Sequence, residues 1–162
     1  MARIEIPTVI SQPLSRHLER PGEQLAFMAA RQVDGSLVAT DLLLIGDELL
    51  DAQDRWHVSL GEDGRSAVIR WGHSTGASLV EVHSHPGPLA AAMSRIDLDG
   101  LTEWVPHVMW RLGGRPYAAI VVTPRTVDAL VWDQAGVWRP DSILWGAISH
   151  VPTGISLEMA RR

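Results

Sequence analysis

The sequence predicts an α/β fold in which helices flank a mixed β-sheet. Two features predict this class: apolar runs of strand length alternate with segments of helical periodicity through the middle of the chain, and hairpin patterns lie toward both ends. Helical crossovers connect parallel strands and hairpins connect antiparallel ones, so a sheet that contains both is mixed. The length of 162 residues fits a single domain over residues 1–162.

The N-terminal segment is predicted to form a strand and a short helix. Residues 4–10, IEIPTVI, alternate enough for a first strand. We expect a helix over residues 11–20, because Ser11 is a suitable cap, Pro13 falls early, and two leucines are spaced at i and i+4. The Pro-Gly pair that follows should end this helix.

A hairpin and a crossover helix are predicted next. The dipeptide Asp34-Gly35 joins two apolar runs, and it is typical of a two-residue turn between antiparallel strands. Residues 63–75 keep their apolar positions at helical spacing, which indicates a crossover helix. The strands predicted in this part of the chain cover residues 23–33, 36–47, 55–60 and 78–85.

The last third of the chain is predicted to contain one long helix and three strands. Apolar residues follow a 3.6-residue period from about Ser94 to Leu112, with Pro106 expected to kink or split the helix. The predicted strands cover residues 117–124, 126–133 and 143–150.

Composition excludes several classes of function. The formal net charge of −5 argues against a nucleic-acid partner, which normally meets a basic patch. The absence of cysteine removes disulfides, thiolate zinc ligands and thiol nucleophiles. We see no signal peptide at the start and no run of about 20 apolar residues for a membrane helix, so a cytoplasmic, soluble protein is expected.

Seven tryptophans are many for a chain of this length. Their spread along the chain favours packing in the core and against the sheet. A binding surface for a partner chain is the other interpretation, because tryptophan is enriched at interface hot spots.

Two histidines at the end of a predicted strand are the strongest functional feature. His83 and His85 are two residues apart, and side chains at i and i+2 of a strand share one face. Both imidazoles can therefore reach a single cation. Pro86 ends the strand immediately afterwards and turns the chain into a loop.

A carboxylate from the next helix completes a set of three metal ligands. Ser94 suits the helix N-cap, and Asp97 falls in the first turn. Two imidazoles and one carboxylate suit a catalytic zinc, which keeps a fourth position open for water. A water on zinc has its pKa lowered to about 7 and becomes a usable nucleophile. The simpler interpretations are a plain helix cap for Ser94 and a helix-dipole carboxylate for Asp97.

Such a site also needs a carboxylate that takes the proton of water. Glu23 opens the first apolar strand of the hairpin, and Glu81 lies two residues before His83 on the same predicted face. The residue pattern by itself leaves both candidates open.

The segment His83-Ser84-His85-Pro86, followed after seven residues by Ser94 and after two more by Asp97, resembles the signature of the JAMM (MPN/JAB-domain) zinc metalloproteases, H-[ST]-H-P-x7-S-x-x-D. Those proteins carry a glutamate far upstream in a segment of the form E-x-x-G-x-[LI]-x-G. The corresponding positions here are Glu23, Ala26, Met28 and Ala30, so alanine replaces both glycines.

The resemblance implies an MPN/JAB fold of cytidine-deaminase-like type with one zinc ion per chain. His83, His85 and Asp97 would be the zinc ligands, and Glu23 would be the general base. Ser94 would hydrogen-bond the oxyanion of the tetrahedral intermediate or orient the site. Glu81 is similar to the glutamate found just before the histidine pair in many bacterial members, which makes it a neighbour of the site.

The resemblance also implies a substrate. Active members hydrolyse amide bonds after the C-terminal tail of ubiquitin or a ubiquitin-like protein, at an isopeptide bond or before a C-terminal extension. A chain of this size is similar to stand-alone bacterial JAB proteins, which occur with ubiquitin-like proteins and E1-like and E2-like enzymes in conjugation, antiphage or sulfur-carrier pathways. The alternatives are a non-catalytic MPN-type binding scaffold and a RadC-like metal protein, whose loop typically reads H-N-H-P-S-G.

Overall fold

A computed structural model describes residues 2–53 and 57–162 of the chain. The helices in these ranges are α1 (Thr8–Leu18), α2 (Glu62–Thr75), α3 (Arg95–Arg111) and α4 (Ile155–Ala160), with a short 3-10 turn at Asp47–Leu49. The strands are β1 (Arg3–Ile6), β2 (Leu25–Val33), β3 (Ser36–Leu44), β4 (Leu50–Gln53), β5 (Val58–Leu60), β6 (Ser78–Ser84), β7 (Tyr117–Val122), β8 (Val127–Asp133), β9 (Gly136–Trp138), β10 (Ser142–Trp145) and β11 (Ile148–His150).

Most strands belong to one large mixed sheet, which confirms the predicted α/β class. Their order across the sheet is β11-β10-β1-β3-β2-β6-β7-β8-β9. The pairs β10/β1, β1/β3 and β6/β7 are parallel, whereas the remaining neighbours are antiparallel. Strands β4 and β5 form a separate two-stranded sheet. The parallel pair β6/β7 is connected through α3, as expected of a crossover helix.

Both faces of the large sheet are covered, because the strand side chains alternate between two apolar layers. Along β2, Ala26 and Met28 join the layer formed with helix α1, whereas Leu25 and Phe27 join the layer formed with helices α2 and α3. The same alternation along β6 decides which side chains face α3.

The predicted hairpin between β2 and β3 is confirmed. Asp34 and Gly35 have φ values of 48° and 79°, the positive angles that a two-residue turn of type I′ requires. Val33 pairs with Ser36 across this turn.

The N-terminal prediction is wrong at its boundary. Helix α1 begins at Thr8, so residues 8–10 are helical and the strand ends at Ile6. The backbone N–H of Ser11 donates to the Pro7 carbonyl at 2.8 Å, so Ser11 lies inside the helix and is not its cap. Burial decides the boundary, because Ile10 continues the spacing of the buried leucines of α1.

The structure corrects one other prediction, excludes one alternative of a second, and describes only part of a third. The strand predicted over 143–150 is two antiparallel strands, β10 and β11, separated at Gly146 with φ of 60°. Helix α3 continues through Pro106 as one element and is not split. In the strand predicted over 55–60, residues 55 and 56 lie outside the described residues, and β5 covers the end of that segment.

The tryptophans mostly pack against the core. Five of them are partly buried against one of the two apolar layers, whereas Trp110 is 76% exposed and Trp56 lies outside the described residues. The five are Trp71, Trp104, Trp132, Trp138 and Trp145. None of the four described helices combines the length and the apolar content that a bilayer-spanning segment needs.

Candidate metal centre

Strand β6 directs Glu81 and His83 toward helix α3. Its neighbours Val80 and Val82 belong to the layer on the α1 side, so the alternate positions point to the opposite face. The end of the strand is held by Ser84, whose hydroxyl accepts a hydrogen bond from the backbone N–H of Gln24 at 2.9 Å. His83 is therefore buried, with 3% exposure, beside the start of β2.

Helix α3 presents Asp97 to this face through a capping box. The hydroxyl of Ser94 accepts from the backbone N–H of Asp97 at 3.1 Å, and the backbone N–H of Ser94 donates to Asp97 Oδ2 at 2.7 Å. The prediction that Ser94 caps this helix is confirmed. The two bonds fix the Asp97 carboxylate in the first turn, at the end of the helix closest to β6.

The structure brings His83, His85 and Asp97 together. The Nε2 atoms of the two histidines are 3.1 Å apart, and Asp97 Oδ2 lies 3.3 Å from His83 Nε2 and 3.2 Å from His85 Nε2. Ligands bonded to one tetrahedral ion at about 2.0 Å lie about 3.3 Å apart. This nearly equilateral triangle of two nitrogens and one oxygen could therefore hold a metal ion.

The electrostatics of the triangle favour an ionised carboxylate. Burial opposes ionisation of Asp97, but the hydrogen bonds from His83 and His85 outweigh it and hold the pKa of Asp97 well below its usual value. Burial also opposes protonation of His83, yet the nearby Asp97, Glu81 and Glu23 carboxylates raise its pKa overall. The cluster thus attracts positive charge.

Glu23 lies at the edge of the triangle, as the resemblance implied. Its Oε1 atom is 3.5 Å from His85 Nε2, and the residue is 3% exposed. Its Oε2 atom is buried and has no hydrogen-bond partner within the described part of the chain. Burial raises the pKa of Glu23, against the opposing effect of His85 and His83. A buried carboxylate with a raised pKa and a free oxygen is suited to receive a proton.

Glu81 is engaged differently. Its Oε2 atom accepts a short hydrogen bond from the Tyr117 hydroxyl, which in turn accepts from Trp104 Nε1 at 2.8 Å. Its Oε1 atom lies 3.9 Å from His83 Nδ1. The residue patterns did not predict that Tyr117 or Trp104 belongs to the site. The only available sign was that Tyr117 is the single tyrosine of the chain.

A cavity of about 620 Å³ opens onto this cluster between α2, α3 and strand β5. It is lined at the cluster by Glu81, His83 and Asp97. Its apolar wall includes Phe27, Val58, Leu60, Ile69, Leu101 and Trp104. The cavity therefore meets the cluster at His83 and Asp97, whereas His85, Glu23 and Ser94 are not among its described lining residues.

Fold and site together define an α/β protein with a His-His-Asp group that could hold a metal ion. Neither a protein-family model nor a curated protein matches the chain. Among solved structures, the chain is similar to the solution structure of a Desulfitobacterium hafniense protein, a Northeast Structural Genomics Consortium target. The match has 16% identity and a TM-score of 0.56, and it covers 87% of this chain and 91% of that one. At that identity, the likeness shows a shared fold alone.

Proposed function

We propose that this chain is a zinc-dependent metallopeptidase of the JAMM type, with the MPN/JAB fold and one zinc ion per chain. The observation that carries the proposal is the position of Glu23. A buried carboxylate with an unpartnered oxygen lies 3.5 Å from one corner of the His83, His85 and Asp97 triangle. A metal site that served only to stabilise the fold would not need this fourth group.

The donor set supports zinc rather than a harder cation. Two imidazole nitrogens suit zinc, whereas magnesium and calcium prefer oxygen ligands. His83, His85 and Asp97 would hold the ion, and three protein ligands leave one position open. Zinc supplies a Lewis acid for the scissile carbonyl and lowers the pKa of water to about 7.

Glu23 handles the proton of the reaction. It accepts a proton as water attacks the carbonyl carbon, and it then delivers that proton to the nitrogen of the breaking C–N bond. The products are a carboxylate and a free amine. Burial raises the pKa of Glu23, and a raised pKa makes its carboxylate a stronger base for the first of these steps.

Ser94 supports the reaction in two ways. Its oxygen accepts from Asp97 N–H, which leaves its own hydroxyl proton available to donate. We assign that donor to the oxyanion that develops as the carbonyl is attacked. Its capping role also holds Asp97 in place for the metal.

The substrate class follows from the JAMM resemblance and agrees with the groove beside the cluster. We propose that the enzyme cleaves the amide bond after the C-terminal tail of a ubiquitin-like protein, either in a conjugate or in a precursor. We assign the tail to the cavity of about 620 Å³, which meets the cluster at His83 and Asp97. Functional partners would be the E1-like and E2-like enzymes of the same pathway.

The decisive experiment compares Glu23→Gln with the wild-type protein. Substrates are ubiquitin and any ubiquitin-like protein encoded beside the gene, each joined through its tail to a C-terminal extension or to lysine. We expect about one zinc per chain in both proteins and a loss of cleavage of about 100-fold or more in the variant. Glu158→Gln is the matched control, because this glutamate is exposed on α4 and should leave cleavage unchanged.

Three outcomes would contradict the proposal in different ways. An unchanged cleavage rate in Glu23→Gln would refute the general base. Full zinc retention in both His83→Ala and Asp97→Ala would refute the ligand set. Zinc binding without cleavage of any of these substrates would favour the non-catalytic scaffold.

A further inference from the structure

We propose that Glu81 is a positioning residue for His83 and that Tyr117 and Trp104 hold it in that role. The inference rests on the proposed zinc site. It assigns a purpose to the buried hydrogen bonds that link Glu81, Tyr117 and Trp104, which the proposed reaction itself does not use. Glu81 approaches His83 from the ring nitrogen that faces away from the triangle.

The two nitrogens of His83 have different surroundings. Nε2 faces His85 and Asp97, whereas Nδ1 lies 3.9 Å from Glu81 Oε1. A histidine that binds a metal through Nε2 carries its proton on Nδ1, and a carboxylate near Nδ1 favours that tautomer. Among residues 2–53 and 57–162, Glu81 is the one carboxylate within 4.0 Å of this nitrogen. At that distance it acts through its charge rather than through a hydrogen bond.

Tyr117 and Trp104 fix the carboxylate from the other side. Tyr117 is fully buried on β7 and donates to Glu81 Oε2, and Trp104 donates to the Tyr117 oxygen at 2.8 Å. Leu79 is the register partner of Tyr117, so Tyr117 is diagonal to Glu81 on the same face of the sheet. A protein donor rather than solvent therefore sets the orientation of this carboxylate.

The chain of hydrogen bonds also joins the two elements that supply the ligands. Trp104 lies seven residues after Asp97, two turns further along α3 on a similar face. Glu81 lies two residues before His83 on β6. The relative placement of His83 and Asp97 is thus fixed at a second point, remote from the metal.

The location of Glu81 makes a purely structural role a poor explanation. Its side chain is 13% exposed within the apolar layer beneath α3, where a carboxylate costs stability. A glutamine of the same shape can still accept from Tyr117, but it lacks the charge that favours the Nδ1–H tautomer. Shape and charge can therefore be separated by one substitution.

The test compares Glu81→Gln, Tyr117→Phe and the wild-type protein by zinc affinity and by cobalt absorption. Zinc affinity is measured by competition with a chelator, and the visible spectrum of the cobalt-loaded protein reports the ligand geometry. We expect zinc affinity to fall about 10- to 100-fold in Glu81→Gln and by a smaller factor in Tyr117→Phe, with altered cobalt bands in both.

Asp128→Asn is the matched control. Asp128 is also a fully buried carboxylate on the sheet, but it accepts from the backbone N–H groups of Gly154 and Ser156. Its substitution should lower the free energy of unfolding and leave the cobalt spectrum unchanged. A role in stability alone would make Glu81→Gln behave in the same way.

The outcomes separate this inference from the proposed function. Wild-type zinc affinity and cobalt bands in Glu81→Gln would overturn the positioning role. Should that variant fail to fold, wild-type affinity and bands in Tyr117→Phe would overturn it instead. The variants could bind zinc more weakly while the wild-type protein cleaves no substrate. That result would support the positioning role of Glu81 and contradict the peptidase proposal. A wild-type protein without zinc affinity would overturn both.

Discussion

Glu23 and Glu81 show how contacts divide two similar residues into different roles. Both are glutamates beside the histidine pair, and burial raises the pKa of each. Within the described residues, Glu23 Oε2 has no hydrogen-bond partner and Glu23 Oε1 lies 3.5 Å from His85 Nε2, whereas Glu81 accepts from Tyr117 and lies on the Nδ1 side of His83. The first can exchange a proton with a substrate, and the second can orient a ligand.

His17 should make folding sensitive to mild acid. It is buried, with Nε2 2.9 Å from the carbonyl oxygen of Leu25, and burial lowers its pKa. The unfolded chain therefore binds the proton more readily than the folded one, so stability is lost as the pH falls below about 6.5. We expect the free energy of unfolding of the metal-free protein to fall less over this range in His17→Gln than in the wild type, as measured by urea denaturation.

Comparing His17→Gln with the wild type separates the effect of His17 from that of histidines whose pKa is raised in the folded protein. The raised pKa of His83 adds stability at low pH that is lost as the pH rises, and this contribution is common to both proteins. Parallel stability curves for His17→Gln and the wild type below about pH 6.5 would contradict the role of His17.

Residue patterns predicted the His-His-Asp group but not the hydrogen bonds of Glu81, Tyr117 and Trp104 behind it. His83, His85 and Asp97 lie within fifteen residues on one strand, one loop and one helix start, so local periodicity brings them together. Tyr117 reaches Glu81 only through the register of β7 against β6, a pairing across 36 positions. Spacing along the chain does not encode that register.

At the scale of elements, the start of α3 combines an observed helix cap with the proposed oxyanion donor. Ser94→Ala removes the acceptor for Asp97 N–H and should lower the free energy of unfolding by about 1 kcal/mol. Ser94→Gly should cost only a few tenths of a kcal/mol, because glycine is well tolerated at a helix N-cap. Thermal and urea denaturation measure both effects.

A peptidase assay would separate the capping role of Ser94 from its proposed role as an oxyanion donor. The glycine variant keeps most of the stability of the helix start but has no side-chain donor, so we expect it to lose cleavage while it remains folded. Full cleavage by a stable Ser94→Gly protein would limit Ser94 to a capping role.

The element predictions succeeded where the residue pattern matches one periodicity. The hairpin around Asp34-Gly35 formed as predicted, because its turn needs two positive φ angles that few residues accept. The predicted start of α1 was wrong because Thr8, Val9 and Ile10 are β-branched and favour a strand locally. Packing of the helix on the sheet outweighs that preference.

At the scale of the whole molecule, zinc should stabilise the fold. A ligand that binds only the folded state at 100 times its Kd adds about 2.7 kcal/mol. For a chain of this length we expect removal of zinc with a chelator to lower Tm by roughly 5–10 °C. Differential scanning calorimetry with and without chelator measures the shift.

Two aspartates of α3 provide the matched pair for this experiment. Asp97→Ala should abolish the dependence of Tm on zinc, whereas Asp99→Ala should retain it because Asp99 is exposed and lies outside the triangle. A zinc-dependent Tm in Asp97→Ala equal to that of the wild type would exclude Asp97 as a ligand.

The strand order of the large sheet could not be predicted from local pattern. The consecutive strand pairs β2/β3, β6/β7 and β7/β8 are neighbours in the sheet, as is usual for adjacent elements. Strand β1 instead lies between β3 and β10. Strand β1 acquires both neighbours only when β3 and the distant β10 are in place, and local sequence does not encode that arrangement.

The position of β1 has a kinetic consequence during synthesis of the protein. Its parallel partner β10 ends at Trp145, so β1 cannot acquire both neighbours until most of the chain has left the ribosome. Pairings between such distant segments carry a large loop-closure cost and fold slowly. The segments that carry Glu23, His83, His85 and Asp97 are synthesised earlier. The nascent chain can therefore assemble the part that contains the His-His-Asp group first and close the sheet edge last.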